Sequence, residues 1–291
     1  MYSTFIMKDF VFIIALTPKE FLTETKTKLF ELTIESLKSQ VSDNWQALLI
    51  GDEDFETGNL IYLKSEAKKK GDKILFALSY IEKQNKKPKY LIRFDDDDLI
   101  SSTVVNAIEK LNFDCYADKY HTYYNLINGK ISFLKANFMA NSVFHKYEHA
   151  IKIVDHPKEE NDINKPLIAC DHALEFIRYY KDKNIIYSPR KQPLYLRILS
   201  PASVTMGILD EKSRAKFDID DFNQKSKEFG FWQKFWLSDY KKYFQKLNKI
   251  TNDIYGIQID GDFSYFTNIK GELDYYLFFF RQKLNRLMNR F

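Results

Sequence analysis

The chain has 291 residues, enough for one large α/β domain with a smaller appendage. Its 45% hydrophobic and 16% aromatic content supports a substantial core, and 29% charged residues is ordinary for a globular surface, which excludes a disordered chain. With 44 basic against 40 acidic residues, a net charge of +4 argues against a nucleic-acid binder and mildly favours anionic ligands or membranes, while two cysteines, Cys115 and Cys170, without metal spacing argue against a disulfide scaffold or zinc site.

Met1 to Lys8 lacks a basic region followed by a long apolar core, and Phe10 to Leu16 is too short to cross a bilayer. Neither a signal peptide nor a membrane span is expected, and a reducing cytoplasm fits. The run Phe10–Leu16, closed by Thr17-Pro18, predicts a strand buried on both faces. Leu29, Leu32, Thr33, Ile34 and Leu37 follow at helical spacing, and Trp45 to Ile50 ends at Gly51-Asp52, completing a βαβ unit. Leu60–Leu63 reads as a third strand, Ile74–Ile81 as a helix after the Lys68–Gly71 turn, and Tyr90–Phe94 as a strand entering Asp95–Asp98.

Alternating strands and helices predict a doubly wound α/β sheet, with Thr17-Pro18, Asp52–Asp54 and Asp95–Asp98 meeting at its carboxyl edge. A helix is expected over 102–111. Asn128-Gly129 predicts a two-residue hairpin between 121–127 and 130–134 that adds antiparallel strands to the sheet. A helix over 171–181 and strands over 185–187 and 194–198 follow. Beyond Asp210 the pattern turns helical and aromatic-rich, which divides the chain into a domain over 1–210 and a helical C-terminal region over 211–291.

Four adjacent carboxylates repel one another, and a divalent cation would relieve that repulsion. Oxygen ligands of this kind suit Mg²⁺ or Mn²⁺ shared with substrate phosphates. A solvated acidic loop whose last Asp caps a helix is the plainer alternative, against which stands the delivery of the run by a buried strand. No glycine-rich phosphate loop or EF-hand pattern is present. Lys73, after Gly71, is placed to approach a diphosphate or to lie in a solvated turn. Arg197 has donors suited to a diphosphate or to a surface acid. His121, His145, His149 and His156 show no partner pattern and read as structural.

Taken in order, Phe10–Leu16 with Thr17-Pro18, Ser36-Leu37-Lys38-Ser39-Gln40 with Asn44-Trp45, Leu48-Leu49-Ile50-Gly51-Asp52, and Arg93-Phe94 leading into Asp95–Asp98 resemble the nucleotide-binding half of bacterial family 2 GT-A glycosyltransferases. The Arg-Phe-Asp-Asp-Asp-Asp form is similar to the branch called rhamnosyltransferases. The resemblance implies a GT-A fold, a Rossmann-like doubly wound mixed sheet with a C-terminal helical appendage. It also implies Mn²⁺ or Mg²⁺ as cofactor, a nucleotide-sugar donor, and a glycan or lipid-linked acceptor, as in surface polysaccharide biosynthesis.

By the same resemblance Asp95, Asp97 and Asp98 would hold the metal. Thr17, Pro18, Asp52, Lys73, Arg93, Asp95, Asp96 and Arg197 would face the donor. Asp52 departs from the family, since Gly51-Asp52-Glu53-Asp54 replaces the usual Asp-Asp-Gly-Ser. Further along, Ala140–Phe144 resembles the acceptor-side segment, Cys170–Leu174 the base motif, and Tyr195–Arg197 the terminal arginine loop. Asp171 would then be the general base of an inverting transfer, with His172 sharing the role, though Asp171 also suits a helix N-cap. The resemblance covers roughly 1 to 205.

At the C-terminus, Leu273, Leu277, Phe280, Leu284, Leu287 and Phe291 form an amphipathic stripe, with bases off it. Residues 271–291 fit a peripheral contact with the inner face of an anionic membrane, or packing on the protein itself. Two other readings stay open: a metal-dependent phosphoryl or nucleotidyl transferase, and a non-catalytic metal- or nucleotide-binding module.

Overall fold

The structure, a computed structural model, describes residues 6–135, 141–154, 165–171, 173–190, 192–203, 206, 218–230, 232 and 237–259. They group into two compact units, Met1–His121 with Lys135–Leu196, and Thr122–Leu134 with Arg197–Phe291.

The first unit is built on β1 (Phe10–Ala15), α1 (Glu24–Lys38), β2 (Trp45–Gly51), β3 (Phe55–Thr57), β4 (Leu60–Lys64), α2 (Lys70–Glu82) and β5 (Tyr90–Phe94). β6 (Leu99–Ile100), α3 (Val104–Ile108) and β7 (Cys115–Asp118) follow. The chain then enters the hairpin β8 (Tyr120–Asn125) and β9 (Lys130–Lys135) and returns as β10 (Val143–Lys146), α4 (Tyr147–Ala150), β11 (Ile153–Val154), β12 (Lys165–Pro166), α5 (Ala173–Tyr180), β13 (Ile185–Ser188) and β14 (Tyr195–Leu199).

Eight strands form one mixed sheet in the order β13-β7-β10-β5-β1-β2-β4-β3. β1 runs parallel to both β2 and β5, with Ile13 level with Leu48 and Arg93. The chain proceeds outward from β1 to β2 and β4, then returns to β1's other side as β5. Strand order therefore reverses between β1 and β5, and a crevice opens beyond their carboxyl ends.

The sequence explains the two faces of this sheet. Along β1 the side chains alternate, so Val11 and Ile13 join Leu48, Ile50, Leu63, Ile74, Ala77 and Ile81 in an aliphatic core under α2. Phe10 and Phe12 face the other way, into rings of Tyr90, Phe144, Trp45 and Phe94. Burying each such side chain contributes roughly 1.5–3 kcal/mol. Helix α1 begins where the Thr23 hydroxyl accepts from the Lys26 amide at 3.2 Å, and it buries Leu29, Leu32, Thr33, Ser36 and Leu37.

Three expectations are corrected. The helix expected over 102–111 shortens to α3 (Val104–Ile108), preceded by a turn in which the Ser101 hydroxyl accepts from the Thr103 amide at 3.3 Å. The hairpin forms, but its loop spans four residues, because the Asn125 side chain accepts from the amides of Ile127 at 3.0 Å and Asn128 at 3.2 Å. Nor do β8 and β9 enter the eight-stranded sheet. Its antiparallel member is β10, which pairs with β5 and β7.

In the second unit Arg197–Leu199 of β14 pairs in parallel with Tyr123–Asn125 of β8. α6 (Ile219–Ser226) and α7 (Lys241–Tyr255) follow, the latter burying Tyr243, Phe244, Leu247 and Ile250. Tyr124 donates to Asn248 Oδ1 at 2.7 Å and stacks on Phe244. The stripe over 271–291 lies outside the described residues. Among those described, no helix is long and apolar enough to cross a membrane.

Candidate active site

The four aspartates follow the carboxyl end of β5, and each is held differently. Asp95 accepts from the Lys70 ammonium and the Asn141 side-chain amide. Asp96 turns back to β1 and accepts the Thr17 amide at 2.6 Å. Asp97 meets the Lys26 ammonium at 2.9 Å. Asp98 is buried; its carboxylate accepts the Tyr195 hydroxyl, and its main-chain carbonyl accepts the Thr33 hydroxyl at 2.8 Å.

Charge is concentrated in this loop, and the protein pushes against it. Burial, reinforced by neighbouring Asp97, raises the Asp96 pKa above the usual carboxylate range. Burial also opposes the charged form of Lys26, but Asp97, Asp96 and Asp95 outweigh it and hold the Lys26 pKa above the ordinary lysine value. Asp95, Asp97 and Asp98 each offer a carboxylate oxygen within 4.8 Å of the others. Hard divalent cations bind oxygens at about 2.0–2.6 Å, so ligands on opposite sides of one ion lie roughly 4–5 Å apart. These three residues therefore fit Mg²⁺ or Mn²⁺ both in chemistry and in spacing.

Around this loop Thr17 and Pro18 are half-buried just past β1. Lys73, in the first turn of α2, donates to the Leu16 carbonyl at 2.7 Å; burial lowers its pKa, with Asp52 and Asp96 opposing. Asp52 is exposed at the end of β2 and faces Lys19 at 3.8 Å, a surface pair of small energetic weight. A Cβ at Gly51 would stand 2.8 Å from Leu16 Cδ1, so the Leu16 side chain would have to shift to admit one.

Arg93, 4% exposed on β5, points to the segment after β12, where it donates to the Cys170 carbonyl at 3.2 Å and to Asp171 Oδ1 at 2.5 Å. Its buried Nε has no hydrogen-bond partner among the described residues. Asp171 is thus tied to the strand that delivers the acid loop while its side chain stays 63% exposed. His172 lies outside the described residues, and Arg197 belongs to the second unit. His145 is buried against Tyr180 at 2.7 Å, burial pushing its pKa down to about 3, and His149 meets the Tyr179 hydroxyl at 3.0 Å; both are structural.

Sequence reasoning missed Lys26, Lys70, Asn141 and Tyr195 as partners of the acid loop. One signal was available for Lys26: it precedes Leu29 by three residues and Thr33 by seven, on the buried stripe of α1. The other three are joined to the loop across 25, 46 and 97 residues, and no local pattern marks them.

Fold and site together define a doubly wound α/β protein with a carboxylate-lined, cation-compatible site at its switch point. No family model matches the chain, and no curated protein sequence matches it. Among solved structures it is similar to S. aureus TarS 1-349 in complex with UDP-GlcNAc, at 12% identity over 91% of this chain and 77% of that one, with a TM-score of 0.44. It is similar to S. aureus TarS at 14% identity over 76% of this chain and 42% of that one, with a TM-score of 0.43. The inositol-1-phosphate CTP transferase from T. maritima is similar at 10% identity over 77% of this chain and 99% of that one, with a TM-score of 0.38.

Proposed function

We propose that the chain is a metal-dependent, GT-A-type glycosyltransferase that moves a sugar from a nucleoside-diphosphate sugar to a glycan or lipid-linked glycan. The observation that carries this reading is the meeting of the Asp95, Asp97 and Asp98 carboxylates within 4.8 Å at the strand-order reversal. These three residues would hold Mn²⁺ or Mg²⁺, which, when bound, takes up charge on the departing diphosphate. Thr17, Pro18, Asp52, Asp95 and Asp96 line the nucleotide side. Lys70 and Lys73 are the cations offered to the phosphates.

Arg93 orients Asp171, and Asp171, assisted by His172, removes the acceptor hydroxyl's proton as that oxygen attacks the anomeric carbon in line, so the transfer inverts. We assign catalysis to residues 1–210, and to residues 211–291 a helical appendage whose stripe over 271–291 packs on the protein itself or meets an anionic membrane face.

Calorimetry of the protein against UDP, dTDP, GDP and CDP sugars, with Mn²⁺ and then with EDTA, tests the reading. Binding of at least one donor only with metal, and slow release of nucleoside diphosphate, is expected. Metal-independent binding of every donor that binds would sink the metal's role. Release of pyrophosphate from a nucleoside triphosphate would replace glycosyl transfer with nucleotidyl transfer.

A further inference from the structure

Two lysines serve the acid loop, and they differ in freedom. The Lys70 side chain, from the first residue of α2, is 39% exposed and can leave Asp95 for a phosphate. Lys26 has no such exit. Its side chain is 8% exposed, its ammonium lies 2.9 Å from Asp97 Oδ2, and the Thr23 cap fixes its main chain. A buried ammonium this close to a ligand carboxylate repels any second cation on the same carboxylate, and low local dielectric strengthens the repulsion.

We infer that Lys26 is a built-in counter-cation that keeps the acid loop from holding a divalent ion alone, so that metal is captured together with the donor's diphosphate. The inference rests on the metal reading above. Two phosphate groups add enough negative charge to the crevice to outweigh the single positive charge of Lys26. Without them Lys26 partly neutralises Asp97, and cellular Mg²⁺ gains little by entering.

The test is a titration of the full chain with Mn²⁺ at pH 7, followed by the electron paramagnetic resonance of free Mn²⁺. Without nucleotide, Lys26→Met should bind Mn²⁺ at least about tenfold more tightly than wild type, because the fixed repulsion is gone. Lys26→Arg, which keeps the charge, should stay within about threefold of wild type. Adding UDP, dTDP, GDP or CDP should narrow the gap between wild type and Lys26→Met. If Lys26→Met does not fold, Lys26→Gln carries the same comparison. Unchanged or weaker Mn²⁺ binding by the folded, uncharged variant overturns the inference and leaves the metal reading standing. A gap that no nucleotide narrows overturns the coupling to the diphosphate. If no form binds Mn²⁺, with or without nucleotide, the metal reading falls as well.

Discussion

Two acidic places in the first unit are satisfied in opposite ways. Asp118, at the end of β7, is 1% exposed and takes its partners from uncharged groups: the Ser188 hydroxyl, the Leu194 amide at 3.0 Å and the Tyr195 amide at 3.2 Å. Asp95 and Asp97 instead lean on lysine side chains. A carboxylate bonded to backbone amides is part of the scaffold, since no ligand can replace those donors without unfolding the turn. Asp95 can exchange the half-exposed Lys70 ammonium for a metal ion, whereas Asp97 keeps the buried Lys26 and must share its carboxylate with one. The difference separates an acid tied into the scaffold from acids paired with side-chain cations, where sequence alone shows only Asp.

The sharpest break of this comparison is Asp97→Ala. Loss of metal-assisted charge stabilisation should cost about three orders of magnitude in donor turnover with Mn²⁺, read by nucleoside diphosphate release. Turnover within a few-fold of wild type would put Asp97 in the scaffold class. Asp171→Asn comes next. It keeps the hydrogen bond from Arg93 but removes the proton acceptor, so transfer should fall on the order of a hundredfold while Mn²⁺ affinity holds. A normal rate in an acceptor assay would remove Asp171 as the base.

On the scaffold side, Asp118→Ala strands two buried amides and a hydroxyl and should lower unfolding free energy by roughly 2–3 kcal/mol, read from the urea midpoint. Asp118 also has a pH signature. Burial lifts its pKa to about 7, above the unfolded value near 3.8, so the folded state binds the extra proton. Its contribution to stability is therefore full below the unfolded pKa and is lost as pH rises toward 7. Asp118→Asn should flatten stability between pH 4 and 7, and an unchanged slope would refute the assignment. The smallest effect is Thr23→Ala, which removes the cap that fixes Lys26 and should cost about 1 kcal/mol by thermal denaturation.

Much of this architecture was legible in the sequence. Unbroken apolar runs marked β1, β2 and β5 as buried parallel strands, and their polar ends placed Thr17 and Asp95–Asp98 on one edge. The position of β10 was not legible, because four residues, Val-Phe-His-Lys, carry too short a pattern to reveal pairing with strands 52 and 28 residues earlier, as for Phe144 opposite Ile92 and Tyr116. The acid loop suggested a cation site, but not the partners its members take: Asp96 accepts from the Thr17 amide and Asp97 from the Lys26 ammonium. Charge pairs separated by long stretches of chain leave no periodicity to read.

Those separations bear on how the molecule comes into being. The acid loop gains Thr17 across 79 residues, Lys26 across 71, Asn141 across 46 and Tyr195 across 97. During synthesis its four carboxylates emerge long before the last two partners exist, and closing such long loops is entropically slow. The hydrogen bonds of the acid loop are therefore complete only once residue 195 has cleared the ribosome, after the last strand of the eight-stranded sheet.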